Sequence, residues 1–287
     1  MSKGDVFNGR QKNWESKADR PELDGNIQYH IRCKPGDIAD IVLLPGDPDR
    51  VPKISEKWDE FKEVGRNREH VTHTGKIRGV DISACSTGAG GGSTASAMEG
   101  LATIGAKTFI RVGTTSAIQS HIRPGDLIIS SGAVRYDGTS ENYVNLNYPA
   151  VADYEVVAAL VEACERLGYT YHVGITATAA SFFCGQNRDG FGGYRQSWFE
   201  TRYEDLKAAN VINYEMEAAT VLTLSSLFKI KAGAIFTVIG NRETNEFAYD
   251  GIEKSIEAST EAAIILAEWN RLKMEKNKKN WYPSLVK

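Results

Sequence analysis

The chain has 287 residues, 41% apolar and 25% charged, the proportions of a folded globular protein and not of a disordered one. Its net charge of −3, from 34 basic and 37 acidic residues, speaks against a duplex nucleic-acid binder, which carries a basic excess. Its apolar runs are short, as at 41–44, and none approaches the ~20 residues of a membrane-spanning helix.

Residues 1–24 are polar, carry both signs of charge and read as an N-terminal extension, not a secretory leader. Apolar, β-branched runs at Ile38 to Leu44, Val80 to Ser86, Thr108 to Val112, Leu127 to Ile129, His172 to Ala177 and Ala234 to Ile239 predict strands. The stretch from His70 to Thr74 predicts another, which turns His70 and His73 to opposite faces and disfavours a zinc pair. Val156, Val157, Leu160, Val161, Cys164 and Leu167 recur at helical spacing, with Gly168 as a stop. Ile252, Ile256, Ala263 and Leu266, with the small Ser259 on the same face, predict a long C-terminal helix. From Lys273 onward, Lys276, Lys278 and Lys279 read as a basic, fraying tail over 274–287. Strands alternating with helices predict an α/β fold: a single-domain three-layer α/β/α sandwich over 25–273, around a mainly parallel or mixed central sheet. Cys33, Cys85, Cys164 and Cys184 are scattered, without a C-x-x-C, and read as buried free thiols of a cytoplasmic protein.

Such folds bind ligands beyond the C-terminal ends of their strands. Those ends carry three loops, at 46–50, 86–93 and 111–115, each combining glycine with hydroxyls or arginine. Glycine lets backbone N–H groups approach an anion, and arginine supplies a forked cationic donor. Ser93 and Thr94 are placed to cap the following helix, whose N-terminus favours anions. Singly each loop reads as an ordinary turn; together, with Arg50 and Arg111, they point to an oxyanion site. Other phosphate and acyl-transfer motifs fail. There is no Gly-Lys-Ser/Thr triplet, no acidic residue in 106–111 to complete a dinucleotide fingerprint after Gly88-Ala-Gly90, and no Gly-x-Ser-x-Gly elbow. By spacing alone Glu215 and Glu217 share one strand face and read as a solvated pair. Gln186 and Arg188 sit in a glycine-rich stretch that reads as a surface loop, and Phe182 and Phe183 read as core.

The three loops, in this order and followed by Asn213-Tyr-Glu-Met-Glu217, resemble the nucleoside phosphorylase family, in the branch with hexameric bacterial members. The likeness runs from His30 to the C-terminal helix, and Phe182-Phe-Cys-Gly-Gln186-Asn-Arg188 is similar to the stretch with which uridine-cleaving members read uracil. The resemblance implies a pentosyltransferase that uses phosphate as co-substrate, with no cofactor, to convert uridine reversibly to uracil and ribose 1-phosphate. It assigns phosphate to Gly46, Arg50, Arg111 and Thr114, and makes Arg68 reach the neighbouring subunit's phosphate. His30 would cross the same interface to the ribose 5′-hydroxyl, Met216 would pack on the sugar, and Glu217 would accept the sugar's hydroxyl protons. Phe182 would stack on uracil while Gln186 and Arg188 bond its polar edge; Arg188, Gln186, Glu217 and Arg111 would carry the chemistry. It further implies a homo-oligomer built from dimers, leaving dimer and hexamer open, with a potassium ion held at the dimer interface by Glu69 and Ser93. Three positions depart from the pattern: Gly240 stands where purine-cleaving members place an Asp, Ala89 replaces a larger aliphatic residue, and Ser116 replaces a glycine. The alternatives are a purine phosphorylase or nucleosidase of the same fold, or a non-catalytic nucleoside-binding protein. Gly240 argues against the purine enzyme, and the three arginines 50, 68 and 111 against a hydrolase.

Overall fold

A computed structural model describes residues 17–286; residues 1–16, most of the expected N-terminal extension, lie outside the described residues. Two short strands, β1 (Glu22–Leu23) and β2 (Ile27–Gln28), pair with each other ahead of the main sheet. There follow β3 (Ile41–Pro45), α1 (Arg50–Ser55), β4 (Glu60–Asn67), β5 (His70–Ile77), β6 (Val80–Cys85), α2 (Gly91–Thr103), β7 (Thr108–Ala117), β8 (Leu127–Tyr136) and β9 (Ala150–Val151). The rest are α3 (Tyr154–Leu167), β10 (Tyr171–Ala179), α4 (Trp198–Ala208), β11 (Val211–Glu215), α5 (Ala218–Phe228), β12 (Lys231–Asn241), β13 (Glu246–Phe247) and α6 (Ile252–Glu275).

The main sheet runs β13-β12-β8-β10-β11-β7-β3-β6-β5-β4, with β9 on β8. It is mixed, as β3 lies parallel to β6 and β7 while β12 lies antiparallel to β8. Strand β7 also pairs in parallel with β12, so β7, β12, β8, β10 and β11 close into a ring, a closure the alternation of elements did not foretell. Helices cover both faces, as a strand buried on both sides requires. Ile41 and Leu43 of β3 join the core under α1, α3 and α6, while Val42 and Leu44 join the core under α2 and α5.

Local chemistry sets the helix ends. Asp153 accepts from the N–H groups of Glu155 (2.9 Å) and Val156 (3.4 Å) at the start of α3, and Gly168 ends it at φ 68°. Ser93 and Thr94 do not cap α2. Gly90 does, in a conformation (φ 88°) that glycine alone adopts freely, and Ser93 and Thr94 fall inside the first turn. His70 and His73 bond different groups, the Ser86 carbonyl at 2.9 Å and the Ser55 hydroxyl at 2.8 Å. Cys33, Cys85 and Cys164 are buried thiols as expected; Cys184 is half-buried.

The expected frayed tail is corrected by the fold. Helix α6 continues to Glu275, and beyond it the Trp281 ring stacks on Trp269 at 3.9 Å between centroids. The backbone N–H of Trp281 donates to Glu155 (2.9 Å), whose carboxylate also takes Lys273 (2.5 Å) and Lys231, and Leu285 is buried. Charge pattern suggested solvation, but two tryptophans and a buried carboxylate outweigh it.

Candidate active site

Strand β7 creates the site by changing partners along one edge. Residues 108–112 pair with β3, and Ser116 and Ala117 pair with β11. Between those pairings Gly113, Thr114 and Thr115 face a cavity of about 490 Å³, at the kind of switch point where α/β sheets hold ligands. Gly46, Arg50, Glu69, Ala89, Arg111, Phe182, Gln186, Met216 and Glu217 also line it.

Arg111, on β7, is buried and held by two carboxylates. Its Nε donates to Glu215 (3.1 Å) and its Nη2 to Glu217. Its Nη1 is buried without a partner and faces Gly46, where an added Cβ would lie 3.8 Å away. Burial opposes its charge, but Glu217 and Glu215 more than offset this and raise its pKa. Arg50 converges on the same space, with its Nη1 on the Val112 carbonyl at 3.2 Å. Burial, then the neighbouring Arg111, lower its pKa: two buried cations converge here, a setting that favours an anion.

The two glutamates divide the work. Glu215 accepts from the N–H groups of Glu217 (2.8 Å) and Ala218 (2.9 Å) and from Thr178 Oγ1 (2.6 Å), so it satisfies the start of α5 while it holds Arg111. Glu217 meets Arg111 and the N–H of Gly90 and faces the cavity. Burial, and after it Arg111 (lowering) and Glu215 (raising), leave its pKa raised. The solvated pair expected from spacing is therefore a buried one, at 3% and 4% exposure.

At the other end of the cavity the chain from Phe182 to Arg188 makes a single 3-10 turn at Cys184–Gln186. Gln186 is buried, whereas Phe182 and Phe183 are 48% and 59% exposed and are not core. Arg188 stands behind Phe182, its guanidinium 4.2 Å from the ring centroid, and its Nη2 donates to Ser116 Oγ at 3.1 Å. Burial, then Arg242, lower its pKa to about 10. Arg242 itself donates to the carbonyls of Gln186 and Asn187 (3.2 Å for Asn187) and lies over Tyr203, so it fixes the turn.

Arg188, behind Phe182, is not itself among the residues that line this cavity, and neither are His30 and Arg68. His30 faces a second one, of about 390 Å³, lined also by Tyr29, Glu99 and Tyr143, and Asn67 holds its carbonyl at 2.7 Å. Arg68 turns the β4–β5 hairpin at φ 53°. Burial, then His70 and Arg68, lower the His30 pKa, while Glu69 opposes them. Ser93 donates to Glu69 at 2.7 Å, and that bond, with the Glu69 backbone N–H, lowers the carboxyl pKa. Among the described residues no group of three or more His, Cys, Asp or Glu could hold a metal ion.

Sequence reading singled out Ser116 only as a departure from the family pattern, and missed Ile239, Arg242 and the anchoring role of Glu215. A signal existed for Arg242. It follows strand β12 as Arg50 follows β3, and the argument applied to three strand-end loops extends to this fourth one.

A mixed sheet whose switch point gathers two buried arginines and an acid defines an α/β protein with a site suited to an anion. The profile of the Phosphorylase superfamily matches residues 40–268, and the chain belongs to that superfamily. Among curated relatives it is 54% identical to a uridine phosphorylase of Thermococcus kodakarensis, over 93% of this chain and 97% of the relative. It is 40% identical to a uridine phosphorylase of Escherichia coli, over 83% and 96%. It is 35% identical to a guanosine phosphorylase of Halorubrum lacusprofundi, over 83% and 99%.

Proposed function

We propose that this chain is a uridine phosphorylase, a pentosyltransferase that converts uridine and phosphate to uracil and ribose 1-phosphate in nucleoside salvage. The observation that carries the reading is Arg111: two nitrogens are tied down by carboxylates, and the third is buried, unpartnered and aimed at Gly46 beside Arg50. Phosphate is the co-substrate, and the reaction is written without a cofactor.

Phosphate lies against Gly46, Arg50, Arg111 and Thr114, with one oxygen directed at C1′ of the ribose. The C1′–N1 bond lengthens, the sugar takes oxocarbenium character, and the electron pair leaves with N1. As positive charge grows on the ring, the ribose hydroxyls become more acidic. Glu217, a stronger base than a free carboxylate, tightens its hold on their protons, and Met216 packs on the sugar. Arg188 and Gln186 disperse the negative charge on the departing uracil, whose ring lies on Phe182. No covalent intermediate is needed; positioning and electrostatics suffice.

A purine substrate is the second reading, since one relative carries a guanosine name. Gly240 speaks against it, because it offers no acid to protonate a purine and lies opposite Ser116 instead. The active unit is a homo-oligomer built from dimers, a hexamer in the full assembly, with Arg68 and His30 completing the neighbour's site. Neither residue lines its own chain's cavity, which supports this. Glu69 and Ser93 suit a hard cation such as potassium in being all-oxygen donors. Two donors fall short of a full shell, so a second copy supplies the rest. The cytoplasm is the proposed compartment, in keeping with the free thiols; among the described residues no helix is long and apolar enough to cross a membrane.

The test is uracil release from uridine with and without phosphate, beside guanosine and inosine. Phosphate-dependent cleavage of uridine is expected. Equal turnover without phosphate makes the protein a nucleosidase, and preference for guanosine makes it a purine enzyme.

A further inference from the structure

Ser116 has no task in the reaction as drawn, yet it makes the one polar side-chain contact described for Arg188. Its residue lies near the end of β7, with its backbone paired to Tyr214 of β11 on one edge and to Gly240 of β12 on the other. The register of β12 shifts between Val238 and Gly240; Ile239 lines the cavity and Gly240 falls opposite Ser116. The hydroxyl is thus carried on a strand fixed from both sides, and its oxygen accepts from Arg188 Nη2 at 3.1 Å.

Arg188 needs such a support. Among the described residues no carboxylate pairs with it, its Nε is buried without a partner, and Arg242 repels it. Its plane is set on one face by the Phe182 ring and at one edge by Ser116. A carboxylate in the place of Ser116 would also orient the guanidinium, but it would neutralise the charge that the leaving base requires. A hydroxyl orients and leaves the charge whole. Gly240 keeps the place open: a Cβ there would lie 3.6 Å from Ser116 Oγ, and any longer side chain would press on the hydroxyl or compete for Arg188.

We propose that Ser116 is a positioning residue for the departing base, holding Arg188 by its hydroxyl where the uracil anion forms. This rests on the phosphorolysis of uridine proposed above. Ser116 acts through Arg188, so its removal weakens the handling of leaving-group charge and leaves the phosphate side intact.

The experiment compares wild type, Ser116→Ala, Arg188→Ala and the double variant, on uridine and on 5-fluorouridine, whose base is the more acidic and the better leaving group. Ser116→Ala is expected to lower kcat/KM on uridine about tenfold, the loss of one hydrogen bond to a charged group, with the phosphate KM unchanged. The loss should shrink on 5-fluorouridine, and the double variant should be no slower than Arg188→Ala. Wild-type kinetics in Ser116→Ala would overturn the proposal. So would an equal loss on both nucleosides, or a full additional loss in the Arg188→Ala background, since either places Ser116 outside the leaving-group interaction. A wild type that does not release uracil from uridine and phosphate removes the underlying activity instead, and that is read before any variant.

Discussion

Arg188 is a half-buried cation stabilised by a ring and a hydroxyl, with no matching anion among the described residues. Such a group is costly until a negative charge arrives, and the departing uracil supplies one. Arg188→Ala is therefore expected to lower kcat/KM for uridine by about 1.5–3 kcal/mol, roughly ten- to a hundredfold, while the phosphate KM stays close to wild type. Steady-state kinetics with each substrate varied in turn check this; an increase confined to the phosphate KM would move Arg188 to the other end of the site. Gly240 makes the complementary case. Its backbone is not left-handed, and an added Cβ meets nothing closer than 3.4 Å, so Gly240→Asp should fold with little loss of Tm. Its carboxylate would reach Ser116 and Arg188 and neutralise the cation, with an expected drop of about tenfold or more in uridine turnover. Tm and kcat/KM measured on the same preparation separate the two effects.

At the scale of elements, the C-terminal residues beyond α6 act as a clasp across α3, β12 and α6. Glu155 of α3 accepts from Lys231 of β12, Lys273 of α6 and the backbone N–H of Trp281. Trp281→Ala removes the stack on Trp269, with an expected cost of about 2 kcal/mol, less than for a fully buried tryptophan, and a Tm lowered by roughly 4–8 °C. Thermal unfolding followed by circular dichroism reads it, and an unchanged Tm would mean that the tail is not part of the cooperative unit. Glu155 adds a pH signature. Burial would raise its pKa, but Lys231 and Lys273 outweigh burial and lower it from 4.5 to about 2. A depressed acid stabilises the fold fully above its unfolded value and loses that contribution as pH falls toward the folded one. Wild type and Glu155→Gln should differ most in Tm above pH 4.5 and converge toward pH 2. A gap that stays constant over that range would contradict the pairing.

For the whole molecule, the question is where Arg68 and His30 act. Neither lines the cavity that holds Arg50, Arg111 and Glu217. An inactive Arg68→Ala chain and an inactive Glu217→Ala chain should therefore complement each other once subunits exchange. In a mixed dimer one site carries both lesions and the other carries neither. With random pairing about a quarter of wild-type activity should return, as expected for closed two-fold symmetry. Verified exchange without recovery would assign Arg68 to its own subunit.

Elements whose signal is local were legible from the residues alone. The double-sided burial of Ile41–Leu44, the helical spacing from Val156 to Leu167 and the stop at Gly168 are set by neighbours a few residues away. The sequence also carried the strand-end loops with their glycines and arginines, and through them the family. What depends on partners far along the chain emerged only with the fold. Arg111 is tied to Glu215 across 104 residues of sequence, and Ser116 meets Arg188 across 72. Spacing therefore made Glu215 and Glu217 look like a solvated pair, and lysine content made the tail look frayed. In the fold a buried arginine claims both acids, and a buried glutamate and a tryptophan claim the tail. A side chain's type and its neighbours in sequence state what it can bond, but its burial and its partner arise only when the sheet closes, because desolvation and pairing are properties of position in space.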